Sequence, residues 1–300
     1  MTTAATTSSR QSFNAAGFRR ELMRWYRAVG RHELPWRLTR DPYAVLVSEV
    51  MLQQTQVARV LPYYQEWLER WPTFDALAQA SAAEVIRAWR GLGYNRRGLN
   101  LHRLATVVAN EHGGQIPADR AALRGLPGIG PYTASALLSF AFEQPVPVAD
   151  TNIARVAARA VLGAANQREL PPGPLAEALA CLLPRREVRD HNLAMMDLGA
   201  MVCGARTPVC GSCPVASHCA WLASGKPEST LRRAPAPKFE STARFARGRI
   251  IDALREAPAT AAELAANLPA RHRGTVATYL SSLERDGLVV RDGEAWRLPV

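Results

Sequence analysis

The chain has 300 residues, of which 48% are hydrophobic and 21% charged, a composition typical of a globular protein with room for two domains. Its 37 Lys and Arg residues against 26 Asp and Glu give a formal net charge of +11, which favours a polyanionic partner such as nucleic acid. No apolar run could span a bilayer and the Thr/Ser/Ala-rich start lacks the apolar segment of a signal peptide, so we expect no membrane binding, a cytoplasmic location and reduced cysteines.

Residues 1–14 are predicted to be a disordered tail, and residues 15–222 to form about ten helices without strands. The segment SEVMLQQTQVARVLPYYQEWLERW, which starts at Ser48, predicts a single helix with an apolar stripe that includes Val50, Val57 and Val60. Further along, SAAEVIRAWRGLG carries a serine N-cap and a capping-box glutamate, and DTNIARVAARAVLG begins with Asp150 as its cap and ends in glycine.

The segment DRAALRGLPGIGPYTASALLSFAF predicts a helix, a glycine turn and a second helix. Gly128 and Gly130 permit a sharp turn whose N–H groups point outward, and the second helix adds its positive N-terminus. Such a turn can hold a DNA phosphate without reading the base sequence.

Four of the five cysteines lie close together, in the order Cys203-x6-Cys210-x2-Cys213-x5-Cys219. Thiolates clustered in a reducing compartment usually bind metal. From the spacing alone, a [4Fe–4S] cluster is favoured over a zinc ion, and both remain open. The fifth, Cys181, is predicted to be a small core residue of an apolar helix.

Residues 223–241 have the Pro/Ser/charge-rich composition of a linker. Residues 242–300 then predict three short helices and a hairpin turning at Asp292-Gly293, which resembles a winged helix. Basic residues at the start of its third helix and in the hairpin favour contact with duplex phosphates; the alternative is a small module that binds a partner or stabilises the protein.

The cysteine spacing, LPGIGPYTA at 126–134 and PYAVLVSEVMLQQTQV at 42–57 together resemble the MutY-type adenine DNA glycosylases of the helix-hairpin-helix, endonuclease III superfamily. The resemblance covers about residues 18–222. It implies a mainly α, two-lobed fold: a helix-hairpin-helix barrel lobe at 41–148, and a cluster lobe made of 15–40 with 149–222. The usual Nudix-like C-terminal domain is replaced by the small winged-helix-like α/β domain at 242–300.

The resemblance also implies the catalytic groups. Glu49, among apolar neighbours that favour its protonated form, would donate a proton to adenine and later activate water. Asp150 would stabilise positive charge on the sugar, with Tyr132 and Asn152 beside the reaction. The superfamily's strand-cleaving members use a lysine where Tyr132 stands. Because residues 1–225 contain no lysine, Schiff-base chemistry is excluded and a monofunctional hydrolase remains.

The resemblance assigns the remaining site residues by position, some to the base and the DNA stack and some to phosphates and the cluster: Trp36, Arg37, Gln53, Gln54, Tyr94 and Leu193 for the base and stack; Gly128, Gly130 and Arg206 for phosphates; Cys203, Cys210, Cys213 and Cys219 for a [4Fe–4S] cluster. Leu193 replaces a polar residue that reads adenine, which would weaken discrimination by about 1–3 kcal/mol. Asn95 replaces a second tyrosine, and Thr151 a glycine.

The expected function is therefore excision of adenine mispaired with 8-oxoguanine or guanine in double-stranded DNA. The expected protein is a monomeric bacterial enzyme associated with the nucleoid. Two alternatives remain: a thymine or uracil mismatch glycosylase, and a DNA-binding regulator with an iron–sulfur sensor and no catalysis.

Overall fold

The structure is a computed structural model that describes residues 13–231 and 235–300, so the tail predicted at 1–14 lies almost entirely outside the described residues. The described chain divides into two compact units. The first runs up to His32 and resumes from Glu143 to Leu231, and the second runs from Glu33 to Phe142 and resumes at Pro235. No helix in either unit is long and apolar enough to cross a membrane.

Helices dominate the described chain, as predicted, and short 3₁₀ turns link many of them. The α-helices are α1 (Ala15–Val29), α2 (Pro42–Leu52), α3 (Val57–Arg70), α4 (Phe74–Ala78), α5 (Ala82–Ala88), α6 (Arg96–Glu111), α7 (Arg120–Gly125), α8 (Pro131–Phe140), α9 (Thr151–Leu162), α10 (Pro172–Leu182), α11 (Val188–Asp197), α12 (Ala220–Ala223), α13 (Ala243–Glu256), α14 (Ala261–Ala266), α15 (Ala270–Arg273) and α16 (Val276–Arg285). The strands are β1 (Ala259–Thr260), β2 (Val290–Asp292) and β3 (Ala295–Arg297).

In the first unit, α9 packs against α10, α11 and α12, and α1 packs against α11. The predicted caps of α9 are confirmed: the Asp150 side chain accepts a hydrogen bond from the Ile153 N–H, and Gly163 ends the helix in a left-handed conformation. The prediction for Cys181 is wrong, because this residue is exposed. Ala178, Leu179 and Leu182 form the buried stripe of α10, and Cys181 falls on its other face.

In the second unit, α2 packs against α3, α6 and α8. The single helix predicted from Ser48 onward is wrong, because α2 ends at Leu52 and α3 begins at Val57. The backbone of Gln54 lies in the left-handed region at φ 57°, which stops a helix. The capping box predicted at Ser81 and Glu84 is confirmed at the start of α5.

The predicted hairpin of two helices is confirmed in the same unit. α7 and α8 are joined by a short turn in which Gly128 has φ +79°, a conformation that favours glycine. A Cβ at Gly128 would lie 2.9 Å from the Asn100 Cβ, whereas a Cβ at Gly130 would meet nothing within 4 Å. The surface at Gly130 is therefore open to a closely approaching ligand.

Residues from Thr242 onward form a small domain of helices and an antiparallel sheet in the order β1-β3-β2. The predicted hairpin is confirmed, with Asp292 paired to Ala295 and Gly293 at φ +61°. The predicted third helix is confirmed as α16, and the basic residues expected at its start lie in the short α15 before it.

This C-terminal domain is packed onto α5 and α6 of the second unit. Its apolar core is continuous with Ile86 and Leu99, both at least 97% buried. The Arg255 guanidinium also donates to the Ile86 carbonyl at 3.0 Å and to the Asn95 Oδ1 at 2.8 Å. The domain and these helices therefore share one core.

Candidate active site

Glu49 lies in α2, a helix that is buried along nearly its whole length from Tyr43 to Met51. Its side chain is only 6% exposed. The Tyr132 hydroxyl, from the first turn of α8, donates a hydrogen bond to the Glu49 Oε2 at 2.7 Å. The packing of α2 against α8 therefore places a buried carboxyl group beside a half-buried phenol.

Trp36 and Arg37 lie on a short 3₁₀ helix, Pro35–Arg37, in the same unit. Both side chains are 8% exposed. The Trp36 ring meets the Tyr64 ring edge-on, with 5.3 Å between their centres. These residues are thus part of the packed interior of the second unit. Their 3₁₀ helix packs against α2.

Gln54 and Tyr94 are non-glycine residues with left-handed backbones, at φ 57° and φ 47°. Such conformations cost on the order of 1–3 kcal/mol each and are concentrated at functional sites. Both side chains are exposed, and Tyr94 is 38% accessible. Gln53 is half-buried at the end of α2. The structure therefore maintains strained backbone at two of the positions where the resemblance expects contact with DNA.

Arg97 holds both strained segments, a role that no motif in the sequence indicates. Its guanidinium donates to the carbonyls of Val50 and Gln53, both at 2.6 Å, and to the carbonyls of Leu92 and Gly93 at 3.0 and 3.2 Å. Burial lowers the pKa of Arg97 to about 10, so it stays charged at neutral pH. Its place beside Tyr94 in GLGYNRR was the available signal, although the sequence does not reveal which carbonyls it reaches.

In the first unit, Asp150 anchors a chain of hydrogen bonds. The Asn152 Nδ2 donates to the Asp150 Oδ2 at 3.0 Å, and Arg155 donates to the Asn152 Oδ1 at 2.9 Å. Arg155 also donates to the carbonyls of Gly199 at 2.6 Å and Cys203 at 2.8 Å. Burial raises the pKa of Asp150, while hydrogen bonds from Ile153 and Asn152 oppose that rise. Arg155 was not predicted from the sequence.

Leu193, expected near the base, is 5% exposed on α11 in the first unit. The neighbouring Asn192 donates to the Val146 carbonyl at 3.0 Å. α11 continues into a π-helical turn, Leu198–Val202, which leads directly into the cysteine loop. Gly199 in this turn approaches Asn152 so closely that a Cβ would lie 2.6 Å from the Asn152 Cβ.

The four clustered cysteines are all half-buried. Burial raises the pKa of the Cys213 thiol to about 11, and the other three thiols add to the rise, which places the four sulfurs within electrostatic reach of one another. Arg159 of α9 lies against the loop: it donates to the carbonyls of Gly204 and Ala205 at 2.8 and 3.1 Å, and its Nη1 lies 3.3 Å from the Cys203 Sγ.

This donor set fits a sulfur-ligated cofactor. Four neighbouring thiols and a guanidinium that offsets thiolate charge are what such a group requires. Within the described ranges, no three His, Cys, Asp or Glu side chains are arranged to hold a single metal ion. Arg206, in the same loop, is exposed.

Comparison with known proteins defines the class. Residues 47–171 match the family described as HhH-GPD superfamily base excision DNA repair protein. A solved complex of endonuclease III with DNA covers 69% of this chain and 94% of its own, with a TM-score of 0.59 at 24% identity, which shows the same fold. The fold is therefore that of a helix-hairpin-helix DNA repair protein.

Closer relatives identify the family. The chain is 48% identical over 248 residues to the adenine DNA glycosylase of Mycobacterium tuberculosis (strain CDC 1551 / Oshkosh), covering 81% of both proteins. It also resembles a solved thermostable thymine-DNA glycosylase at 30% identity, with a TM-score of 0.65 and coverage of 70% of this chain and 97% of the other. The chain belongs to the adenine DNA glycosylase family, and the resemblance inferred from its sequence is confirmed.

Proposed function

We propose that this protein, acting as a monomer, hydrolyses the N-glycosidic bond of adenine that is mispaired with 8-oxoguanine or guanine in double-stranded DNA. The observation that carries the proposal is the hydrogen bond at 2.7 Å from the half-buried Tyr132 hydroxyl to the buried Glu49. A tyrosine here, in a chain without lysine before Lys226, supports hydrolysis by water over attack by an amine.

Glu49 is assigned the acid and then the base. As a buried side chain of α2, it can deliver a proton to N7 of an adenine that has flipped out of the DNA double helix. Protonation makes the base a neutral leaving group. The glycosidic bond then breaks through an oxocarbenium-like state, as in glycoside hydrolysis. The resulting carboxylate accepts a proton from the water that attacks C1′. Tyr132 orients the carboxyl group through its hydrogen bond.

Asp150 is assigned to stabilise the cationic sugar. A carboxylate removed from bulk water interacts more strongly with a developing positive charge than a solvated one does. Asn152 donates to Asp150 and Arg155 supports Asn152, so the carboxylate oxygens are held in place before the reaction starts.

Binding of the flipped adenine and contact with the base stack are assigned mainly to residues of the second unit. Trp36 and Arg37 would shape the adenine pocket, and Gln53, Gln54 and Tyr94 would probe the base stack at the mispair. In the first unit, Leu193 would face the base without offering a hydrogen bond, so discrimination against other bases would be weaker by about 1–3 kcal/mol than with a polar residue.

The cluster and the phosphate contacts complete the proposal. Cys203, Cys210, Cys213 and Cys219 would hold a [4Fe–4S] cluster, which takes one thiolate at each of its four irons. When bound, the cluster would supply rigidity to the loop that carries Arg206. Gly128, Gly130 and Arg206 would contact DNA phosphates, the first two through backbone N–H groups.

The test is single-turnover release of adenine from A:8-oxoguanine and A:G duplexes, with T:G and U:G duplexes as alternative substrates. We expect wild-type protein to release adenine, and Glu49→Gln to bind the same duplexes but release it at least about 100-fold more slowly. Borohydride should trap almost no covalent adduct. Near-wild-type release by Glu49→Gln would contradict the assignment, and preferential release of thymine or uracil would favour the mismatch glycosylase that the 30% identical thymine-DNA glycosylase resembles.

A further inference from the structure

A cationic groove in the second unit is lined by the C-terminal domain and by the loop that carries Tyr94, and only Gln54 and Tyr94 among its lining residues have a role in the proposed function. Its volume is about 1010 Å³, at the upper end for small-molecule sites. Seven arginines and two aspartates line it. Both aspartates are already paired, Asp252 with Arg255 and Asp286 with Arg247. The remaining charge is positive, so the groove favours an anionic ligand.

One guanidinium in this groove has aromatic partners in place of a carboxylate. The Arg244 Cζ lies 4.9 Å from the centre of the Tyr94 ring and 4.8 Å from the centre of the Phe239 ring. Its Nη1 donates to the Tyr94 hydroxyl. Within the described ranges Arg244 forms no ion pair, so nothing of opposite charge holds it against the two rings.

The two rings are accessible and constrained at the same time. Phe239 is 52% exposed and Tyr94 38% exposed. Phe239 meets Phe245 edge-on at 5.6 Å, while Tyr94 is fixed by its left-handed backbone and by Arg97, whose Cζ lies 5.6 Å from the ring centre. Exposed aromatic rings with an arginine alongside are the arrangement on which unstacked nucleobases bind.

We propose that Phe239, Arg244 and Tyr94 form a stacking site for one nucleobase of the bound DNA that has left the helical stack, with the groove arginines holding its flanking phosphates. The planar Arg244 guanidinium occupies this site in the free protein. An entering base replaces it against the rings, and the released guanidinium pairs with a phosphate. This inference rests on the proposed function in that the ligand is the DNA substrate.

The test is a thermodynamic cycle between one ring and each candidate base. Duplexes carry A:G with 2′-fluoro-2′-deoxyadenosine as the target, because the fluorine disfavours the oxocarbenium-like state and keeps the DNA intact. A tetrahydrofuran abasic residue then replaces one base at a time, on both strands, around the mispair. Dissociation constants are measured for the full-length wild type and for Phe239→Ala.

We expect one position at which base removal weakens wild-type binding at least about fivefold, and at which Phe239→Ala abolishes that penalty. Phe239→Tyr, which keeps a ring, should restore it, and Val300→Ala, which shortens an exposed apolar side chain of the same domain, should leave it unchanged. If no position loses more than about twofold of its penalty in Phe239→Ala, the stacking site is refuted.

Arg244→Met separates the phosphate role from the stacking role. It should weaken all duplexes alike and lower the salt dependence of binding by about one unit, while the base penalty persists. The matched control is Arg285→Met, from an exposed arginine of α16, which should leave Phe239-dependent coupling intact. Adenine release from the unfluorinated A:G duplex is measured in parallel. Coupling without release would sink the proposed chemistry alone, and release without coupling would sink the stacking site alone.

Discussion

Asp150 serves the fold and the proposed chemistry with one carboxylate. It caps α9, yet burial raises its pKa, which means that this group binds a proton more tightly in the folded protein than in the unfolded chain. The contribution of this group to stability therefore falls as pH rises from the unfolded pKa, about 3.9, through the higher folded value. At neutral pH the ionised side chain is a cost to folding.

Asp150→Asn should consequently lower adenine release at least about 100-fold while leaving the melting temperature at pH 7.5 equal to or above that of the wild type. Asparagine is as good an N-cap as aspartate, and it carries no charge. Any gain in stability should shrink as the pH is lowered. Calorimetry and single-turnover kinetics on the same preparations provide the measurement.

The matched control is Asp119→Asn, since Asp119 caps α7 in the same way but is exposed. It should leave adenine release unchanged. A clear drop in the melting temperature of Asp150→Asn alone would mean that the carboxylate is required for folding.

At the residue scale, the sequence predicted which residues are candidates for the site better than it predicted the contacts that hold them. The burial of Glu49 followed from its apolar neighbours. The cap at Asp150 followed from the type of residue found directly before a helical pattern. Arg97 and Arg155 were missed because their roles depend on carbonyl groups that are distant along the chain, such as Val50 for Arg97 and Cys203 for Arg155. No residue-type pattern encodes which backbone oxygens a buried guanidinium will reach.

Among the elements, α9 supports the cysteine loop through Arg159, whose guanidinium also stacks on the Trp221 ring at 4.6 Å. Arg159→Met should leave the carbonyls of Gly204 and Ala205 without their donor, at a cost of about 2–4 kcal/mol. If the proposed iron–sulfur cluster is bound, its absorbance at about 400 nm, relative to protein, should fall by at least half in this variant on purification without oxygen. Arg168→Met, at an exposed arginine, is the control, and full absorbance in both variants would contradict the supporting role.

α11 carries a buried histidine that makes the fold sensitive to acid. His191 is 2% exposed, and neither ring nitrogen has a hydrogen-bond partner in the described part of the chain. Burial, followed by the charge of Arg19, lowers its pKa to about 4. It is neutral when folded and gains a proton more readily when unfolded. Stability is therefore complete above about pH 6.5 and is lost as pH falls from there towards 4.

His191→Gln should flatten the acid side of the stability profile, removing up to about 3 kcal/mol of the loss between pH 6.5 and 4. Urea unfolding at several pH values measures the slope directly. His112→Gln, at an exposed position, should leave the profile unchanged. A His191→Gln profile as steep as the wild type's would show that other groups govern acid unfolding.

Element boundaries followed from the sequence where caps were local and failed where tertiary contacts decided them. The capping box of α5 and the glycine after α9 are local signals. The break between α2 and α3 has no local signal, because the apolar pattern continues through Leu52 and Val57. Arg97 of α6 instead donates hydrogen bonds to the carbonyl groups at the end of α2.

On the scale of the whole molecule, Asn95 is explained by the C-terminal domain. The family resemblance expects a second tyrosine there, whereas this chain has a side chain that accepts from the buried Arg255 at 2.8 Å. Asn95→Tyr should leave that guanidinium short of an acceptor and lower the free energy of unfolding by about 1–3 kcal/mol.

Chemical denaturation checks this, with Asn110→Tyr on the exposed side of α6 as the control. If Asn95→Tyr were as stable as the wild type, the Arg255 contact would not explain the departure. Removal of the domain is a poor substitute for this experiment, because it would expose Ile86 and Leu99 and destabilise the helices it was meant to leave intact.

The core shared through Ile86 and Leu99 also limits how this architecture can be recombined. A domain that carries its own closed core can be moved between proteins as a cassette, joined only by a linker. Here the transferred domain would expose the apolar surface that now packs on Ile86 and Leu99, and Arg255 would lack the Asn95 side-chain oxygen to which it donates. A successful graft onto another glycosylase would have to introduce Ile86, Asn95 and Leu99 into the recipient as well. The C-terminal domain and the helices on which it packs must therefore be gained or lost together.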